Sequence, residues 1–465
     1  MPGSPLKILF LAHDYPPVGG GGVQRALHLV RALDAAGHAV HLVAVDKDPG
    51  ALRDDSLLAL HPPRVPVTRY RLPSIQPAVE RFKRARLSRL PALVLPADLY
   101  VDASVFVGTT TRVALEVARA FRPDVVIATG PPYGVLEAAR RVAAAVGATF
   151  VLDLRDPWIE PVVARFASPL AVAWARAFQR RCLAAADSVV VTAPTLQTLL
   201  EGLPKARPRR VTTITNGYDG DVPIDADAIE RARALIRSPR GAKTVAFIGR
   251  LFVSGGAGGS RRGALADRVF DALAYGQQLV RAADYHAGPW FQALELLAER
   301  RPDLHGRLET VFMGSVPDGQ GAAFPRASAA FPVRYTGYQP LAVAAAAARV
   351  ADGLALFNPS TTDDSSSFII PGKMFEYLAA GPPIFTMCGP GDCADIIAQT
   401  GAGVWTHDRR PEPMAAHLER WLDGHALPIH RDEQAIAGYE RAVLGRRFVA
   451  EVQRAHDARR GLTSG

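Results

Sequence analysis

Leu6-Lys7-Ile8-Leu9-Phe10-Leu11-Ala12 is a short apolar run. It leads into the loop His13-Asp14-Tyr15-Pro16-Pro17-Val18-Gly19-Gly20-Gly21-Gly22 and then into Val23-Gln24-Arg25-Ala26-Leu27-His28-Leu29-Val30-Arg31-Ala32-Leu33. In the last piece Val23, Ala26, Leu27, Val30 and Leu33 fall on one helical face, and Gly37 ends the helix. A second apolar run, Ala39–Val45, follows. Strand, crossover helix and strand in this order predict a βαβ unit, whose two strands lie parallel in one sheet.

The same alternation continues outward. Val125–Ala128, Thr149–Asp153, Ser188–Thr192 and Val211–Thr215 are rich in β-branched residues, with helical stretches such as Tyr133–Val146 and Leu170–Ala186 between them. Continuous apolar strands separated by amphipathic helices predict a parallel sheet covered on both faces. The pattern lapses over Asn216–Gly241, a polar stretch holding Gly217, Gly220, Pro223 and Pro239, and then restarts. Thr244–Ile248, Leu308–Met313, Val333–Tyr335, Gly353–Phe357, Pro383–Met387 and Gly403–Trp405 are the later strand candidates. Phe291–Glu299, Leu341–Val350, Gly372–Ala380 and Asp392–Gln399 are the helices expected with them. The expectation is α/β: two tandem doubly wound domains, at 1–215 and 242–430, joined by a linker at 216–241. Residues 431–465 form a final helix, with Ile436, Tyr439, Val443, Phe448 and Val452 at helical spacing. A chain of 465 residues suits two large domains.

Composition narrows the class. At 48% hydrophobic the chain can bury a core without disulfides. Its three cysteines, Cys182, Cys388 and Cys393, exclude a disulfide scaffold, match no zinc spacing and read as small core residues. The longest spanning candidate, Leu341–Phe357, is interrupted by Arg349 and Asp352, and the N-terminal apolar run is too short for a signal peptide. A cytoplasmic protein is expected. The net charge of +9 comes almost wholly from arginine and favours anionic partners. The arginines are scattered and no nucleic-acid recognition motif accompanies them, so nucleic acid is not expected. Residues 78–95 are basic and partly apolar; they read as a peripheral contact with anionic lipid at the inner face of the membrane, or as a solvated basic helix. Residues 254–286 begin as a Gly-rich loop with a basic end, Ser260-Arg261-Arg262, and continue as a helix.

Several pieces fall where a doubly wound sheet binds ligands, beyond the carboxyl ends of its strands. The loop Gly19–Gly22 lets backbone approach a ligand, and the helix that follows favours anions. It does not meet the dinucleotide spacing G-x-G-x-x-G, although Asp46 stands where a ribose-binding acid could. Asp153-Leu154-Arg155-Asp156-Pro157-Trp158 suits sugar hydroxyls or acid–base work, and reads equally as a salt bridge at a strand end. Arg250, just past Thr244–Ile248, could hold a phosphate. Asn358-Pro359-Ser360-Thr361-Thr362-Asp363-Asp364 is a polar loop after another strand.

The most informative piece is Pro371-Gly372-Lys373-Met374-Phe375-Glu376-Tyr377-Leu378-Ala379-Ala380-Gly381. Its Pro and Gly open a helix and Gly381 closes it. Free amides at Gly372 and Lys373, the helix dipole and the Lys373 ammonium all favour a phosphate. Glu376 lies one turn further on the same face, where a carboxylate can accept both hydroxyls of a ribose. Phosphate and ribose sites one turn apart fit a nucleoside diphosphate.

Together with Ile214-Thr215-Asn216-Gly217-Tyr218-Asp219 and Phe247-Ile248-Gly249-Arg250-Leu251, these blocks resemble the GT-B glycosyltransferases, most nearly the retaining family 4 group. The resemblance covers nearly the whole chain. It implies two Rossmann-like domains facing a cleft, with the acceptor on the N-terminal domain and a nucleotide-diphosphate sugar on the C-terminal one. The reaction implied is transfer to an acceptor hydroxyl with retention, without a metal or other cofactor and with a UDP- or GDP-linked donor. Carried onto this sequence, Glu376 would hold the donor ribose, and Arg250 and Lys373 the diphosphate. Gly20 and Gly21 would bring amides to the phosphate or sugar. Gly372, Asn358 and Ser360 would line the donor site. Asp153 and Asp156 fall where the family places acceptor-side or catalytic groups, and His13 could supply the histidine some members use. The sequence departs from the pattern where the first acid of the usual pair is expected, at Phe368; Asp363 or Asp364 could substitute. Rivals are a GT-B sugar-nucleotide epimerase, an inactive binding or scaffold protein of the same fold, and a nicotinamide-dependent oxidoreductase.

Overall fold

The computed structural model describes residues 4–19, 21–46, 53–72, 107–159, 169–203, 208–220, 224–249, 287–314, 330–361 and 363–461. These form two compact units. Of the described residues, the first holds those up to Thr215 and from Ala442 onward, and the second those from Asn216 to Arg441.

In the first unit the elements run β1 (Lys7–Ala12), α1 (Gly21–Ala35), β2 (Ala39–Val45), β3 (Val67–Tyr70), α2 (Val107–Phe121), β4 (Val125–Gly130), α3 (Tyr133–Val146), β5 (Thr149–Leu154), α4 (Pro169–Ala185), β6 (Ser188–Val191), α5 (Pro194–Glu201) and β7 (Val211–Thr213). The seven-stranded sheet has the order β3-β2-β1-β4-β5-β6-β7, and every pairing is parallel. β4 and β5 are buried along their whole length, which is why both read as unbroken apolar runs. The order reverses between β1 and β4, so their carboxyl ends open a crevice for ligand.

In the second unit the elements are α6 (Ala226–Ile236), β8 (Lys243–Ile248), α7 (Gly288–Arg300), β9 (Leu308–Met313), β10 (Val333–Gly337), α8 (Leu341–Val350), β11 (Gly353–Asn358), α9 (Lys373–Ala380), β12 (Ile384–Cys388), α10 (Asp392–Thr400), β13 (Gly403–Thr406), α11 (Pro411–Leu422) and α12 (Glu433–Ala437). Its six-stranded sheet, β10-β9-β8-β11-β12-β13, is again parallel throughout and reverses between β8 and β11. One face buries Met374, Phe375, Tyr377 and Leu378 of α9 with Ala228, Ala232 and Ile236 of α6. The other packs Trp290, Leu294 and Leu297 of α7 on Phe247, Phe312 and Phe385.

The last helix, α13 (Arg441–Arg459), buries Leu444, Phe448 and Val452 in the core of the first unit. A fully buried Leu, Phe or Val contributes about 1.5–3 kcal/mol relative to an exposed one. Polar ties accompany this packing. Glu451, fully buried, accepts from Ser188 at 2.6 Å and Arg210 at 2.7 Å.

The structure adds detail to the sequence reading. Residues 216–241, read as a linker, carry α6, whose Ala228–Ala232–Ile236 face belongs to the second unit's core. β3 is not among the expected strands: it is an edge strand with Thr68 and Arg69 half-exposed, so it shows no apolar run. The region 431–465 is two helices, interrupted at Gly438–Glu440. All three cysteines are buried and free. No described helix is long and apolar enough to cross a membrane. The basic segment 78–95 and the insertion 254–286 lie outside the described residues.

Candidate functional site

In the second unit the strand ends nearest the reversal point carry the densest chemistry. α9 begins directly after Pro371-Gly372, with Met374 N bonded to Pro371 O at 3.0 Å and Phe375 N to Gly372 O at 3.3 Å. Neither bond uses the amides of Gly372 or Lys373. Among the described residues a Cβ on Gly372 would meet nothing within 4 Å, and Gly372 is exposed. The buried side of α9 is fixed by Tyr377, whose hydroxyl oxygen accepts from Ile248 N at 2.7 Å at the end of β8. This leaves Lys373 and Glu376 on the half-buried side.

Lys373 Nζ stands 3.8 Å from the centroid of the Phe247 ring. Among the described residues it has no carboxylate partner. Burial lowers its pKa to about 7. The strand ends below it are shaped to let it lie there. Gly249 has φ +135°, and a Cβ on it would stand 2.8 Å from Lys373 Nζ. Gly314, with φ +148°, passes so close that its Cβ would lie 2.0 Å from Gly249 O. Both positions need glycine for conformation and for space. Arg250, the second cation expected here, lies outside the described residues.

Glu376 shares a guanidinium with Asp219. Arg441 Nη2 is 3.2 Å from Glu376 Oε1, and Arg441 Nη1 is 2.6 Å from Asp219 Oδ2. Burial raises the Glu376 carboxyl above its ordinary range; Arg441 pulls it back and Asp219 pushes it further up. The Glu376 side chain keeps 41% of its surface exposed.

The loop after β11 is more committed to itself. Asn358 donates Nδ2–H to Ile369 O at 2.9 Å, while its buried Oδ1 has no partner among the described residues. Ser360 is buried and donates both N–H and hydroxyl to Asp408 Oδ2, at 3.0 and 3.2 Å. Asp363 caps Ser365 N at 3.1 Å, and Asp364 pairs with Arg409 at 2.8 Å. Phe368 is 7% exposed, part of the interior rather than of a polar site.

In the first unit the sequence-selected residues separate into two roles. Asp153, at the end of β5, is 0% exposed and fully engaged. Arg25 on α1 grips it through Nε at 2.9 Å and Nη2 at 2.6 Å, and Thr129 donates to it at 2.6 Å. The remaining donors of Arg25 reach Thr215 O and Ile214 O at 3.1 and 3.0 Å. This is a buried ion pair tying α1 to the strand ends, and it leaves Asp153 no surface for a substrate. Asp156, three residues on, keeps solvent-accessible surface. The surrounding protein still pushes its carboxyl above the usual range, against the pull of Arg155.

Arg155 crosses the crevice between β1 and β4. Its Nε donates to Gly130 O at 3.3 Å and its Nη2 to Pro131 O, and a Cβ on Gly22 would stand 2.2 Å from Nη1. The Gly-rich start of α1 therefore lies directly under a guanidinium. Gly21 is the first residue of α1; Gly20 lies outside the described residues. His13 is nearly buried, with Nδ1 2.8 Å from Asp14 Oδ1. Asp46 pairs on the surface with Arg71 at 3.0 Å. Among the described residues no three His, Cys, Asp or Glu side chains gather as a metal site.

Residues 20–217 match the model of the glycosyl transferase 4-like domain. Most of the N-terminal unit is thus similar to that domain. The chain as a whole has the GT-B fold, two parallel-sheet α/β units in tandem. Similar solved structures extend over both units. Anabaena HepE, in a complex with UDP and glucose, is 14% identical with a TM-score of 0.51, over 98% of this chain and 100% of that one. A glycosyltransferase from Rickettsia africae is 12% identical with a TM-score of 0.58, over 97% and 99%. A UDP-forming alpha,alpha-trehalose-phosphate synthase from Burkholderia vietnamiensis is 15% identical with a TM-score of 0.56, over 97% and 100%. No curated protein sequence matches the chain.

In this chain, sequence reasoning did not single out Arg25, Arg441 or Tyr377. Asp219 stood in a quoted block without a role, and Arg155 only as the residue between two carboxylates. Arg25 and Arg441 sit on helices whose sequence gives no local sign of a partner far along the chain.

Proposed function

We propose that this glycosyltransferase moves a sugar from a nucleoside-diphosphate donor to an acceptor hydroxyl, with retention and without a metal. The observation that carries the reading is Lys373: a half-buried ammonium at a helix start, lying on an aromatic face, without a carboxylate among the described residues. Such a cation is incomplete until an anion arrives. A diphosphate supplies it, and Glu376 one turn on accepts the ribose hydroxyls. The UDP complexes of the structural neighbours support the same donor class.

Transfer breaks the bond between the sugar and the diphosphate, so negative charge grows on the leaving oxygens. Fixed positive charge there stabilises the transition state more than the bound donor. Lys373, the amides of Gly372 and Lys373, and Arg250 are assigned this work. The Oδ1 of Asn358, unpartnered among the described residues, is assigned to a donor hydroxyl, and Ser360 to holding Asp408. In the first unit, Gly20, Gly21 and Arg155 are assigned to the negative or hydroxyl-rich side of the substrates. Asp156 is assigned as the acceptor-side acid or base, and His13 with Asp14 as its companion. Asp153 is assigned to holding Arg25. Residues 78–95 are assigned a peripheral contact with anionic membrane, which flotation with anionic vesicles tests; no dependence on anionic lipid ends that part.

One observation favours a second reading, a donor-binding protein without turnover: Phe368 stands in the interior, Asp363 caps Ser365 and Asp364 is held by Arg409, so each residue considered for the first acidic position is apolar or already engaged. Incubation with UDP-glucose and with GDP-mannose, followed by nucleoside diphosphate release, separates the two. Slow release that disappears in Asp156→Asn supports the transferase. Tight diphosphate binding with no release from either donor and no transfer to any hydroxyl supports the second reading.

A further inference from the structure

Glu376 does not stand alone on its helix face, and its neighbours come from two other segments. We propose that Arg441, itself held by Asp219, is the positioning residue for Glu376 and sets the preference of the donor site for ribose over deoxyribose. The inference rests on the donor reading above.

The geometry is a bridge with one cation in the middle. Arg441 Nη1 reaches Asp219 Oδ2 at 2.6 Å and Nη2 reaches Glu376 Oε1 at 3.2 Å. The guanidinium is the most buried of the three side chains, 17% exposed against 28% for Asp219 and 41% for Glu376. The backbone fixes the two outer segments to each other. Arg441 N donates to Tyr218 O at 2.8 Å, and Tyr218 N donates to Tyr439 O at 3.2 Å. Asp219 and Arg441 are thus presented side by side before either side chain acts.

The consequence for Glu376 is orientation and charge. A planar guanidinium that holds Oε1 leaves Oε2 and the outer lone pair of Oε1 to face a ligand, and a carboxylate with two free acceptor sites suits two vicinal hydroxyls. Without the guanidinium, two carboxylates face each other at a half-buried place and the Glu376 side chain loses its anchor. Other charges nearby are Glu440, beside Gly220, and Lys373, one turn back on α9. Neither offers Glu376 a replacement fork: the first is an anion and the second lies on Phe247.

The test compares nucleoside diphosphates with and without the second hydroxyl. Wild type is titrated with UDP, GDP and ADP, and then with the deoxyribonucleoside diphosphate of whichever base binds. Wild type is expected to favour the ribonucleotide roughly tenfold, the scale of one or two hydrogen bonds to a charged group. In Arg441→Met that ratio is expected to fall to within about twofold, while inorganic pyrophosphate binding stays within about twofold of wild type. Arg441→Lys is expected to recover part of the ratio, because a point charge replaces the fork imperfectly. A ratio unchanged in Arg441→Met, or pyrophosphate binding lost in parallel, overturns the proposal and makes Arg441 merely structural. Circular dichroism checks the fold; if Arg441→Met does not fold, Asp219→Asn is read the same way. If wild type binds none of the three ribonucleotides, the donor reading has failed and this one falls with it. If Glu376→Ala removes the ratio but Arg441→Met and Asp219→Asn do not, only this inference is overturned.

Discussion

The Lys373 ammonium lies 3.8 Å from the centroid of the Phe247 ring, and a Cβ on the neighbouring Gly249 would stand 2.8 Å from the same nitrogen. An aromatic face attracts the cation, but much less than water or a carboxylate does. The site therefore holds a lysine with its pKa lowered to about 7, ready to regain full charge when an anion arrives. Aromatic floor, glycine wall and open helix start all serve that one group.

Proton linkage follows from this placement. A bound diphosphate raises the Lys373 pKa, so binding takes up a proton wherever the free protein holds the amine neutral. Affinity is greatest below about pH 7 and declines as pH rises above it. Calorimetry at about pH 8 in two buffers of different ionisation heat should show uptake approaching one proton for wild type and none for Lys373→Met. The same substitution should weaken binding by about 1.5–3 kcal/mol, the scale of a charge-assisted contact. Uptake that persists in Lys373→Met assigns the proton to another group.

The same lysine should cost stability in the unliganded protein. Its folded pKa lies below the unfolded value, so the unfolded chain binds more protons between about pH 7 and 10.5, and stability rises with pH across that window. Lys373→Met should stabilise the free protein by about 1 kcal/mol near neutral pH and flatten that rise. Thermal melts at several pH values read both effects.

Breaking the Arg25–Asp153 pair is expected to damage the fold before the chemistry. Removing one partner of a buried, bidentate pair leaves the other charge uncompensated, a loss of about 3–5 kcal/mol. Denaturant unfolding of Asp153→Asn and Arg25→Met measures it. Wild-type stability with lost turnover in Asp153→Asn would instead return Asp153 to a catalytic role.

Gly445 marks where α13 meets α1 in the first unit. A Cβ there would stand 2.7 Å from the Ala32 Cβ. Gly445→Val should destabilise by about 1–3 kcal/mol through overpacking, whereas Arg446→Ala on the exposed side should change little. Equal effects of the two would contradict this packing.

Much of the fold could be read from the sequence because the two parallel sheets bury both faces of their inner strands. β4 and β5 admit no polar alternation and stand out as apolar runs. The edge strand β3 escaped because its exposed surface is occupied by Thr68 and Arg69. α6 escaped because its buried face is mostly alanine, Ala228 and Ala232 with Ile236, between charged residues.

The candidate site divides in the same way. Lys373 and Glu376 are three residues apart on one helix, so spacing alone places them together. Asp153 looked open because the partners that close it are remote: Arg25 is 128 residues away and Thr129 is 24. Arg441, 65 residues from Glu376, left no local signal at all. Short-range chemistry is visible in a sequence; which carboxylate is already taken is a property of the folded chain.

The central claim is that Lys373 and Glu376 hold a nucleoside diphosphate. Calorimetric titration with UDP, GDP, ADP, dTDP and NAD, on wild type and on Glu376→Ala, tests it most directly. The account predicts micromolar binding of one ribonucleoside diphosphate by wild type, loss of that binding in Glu376→Ala, and weak binding of dTDP and NAD. Binding of no diphosphate, or an affinity that Glu376→Ala leaves within twofold, would contradict it and reduce α9 to a structural helix.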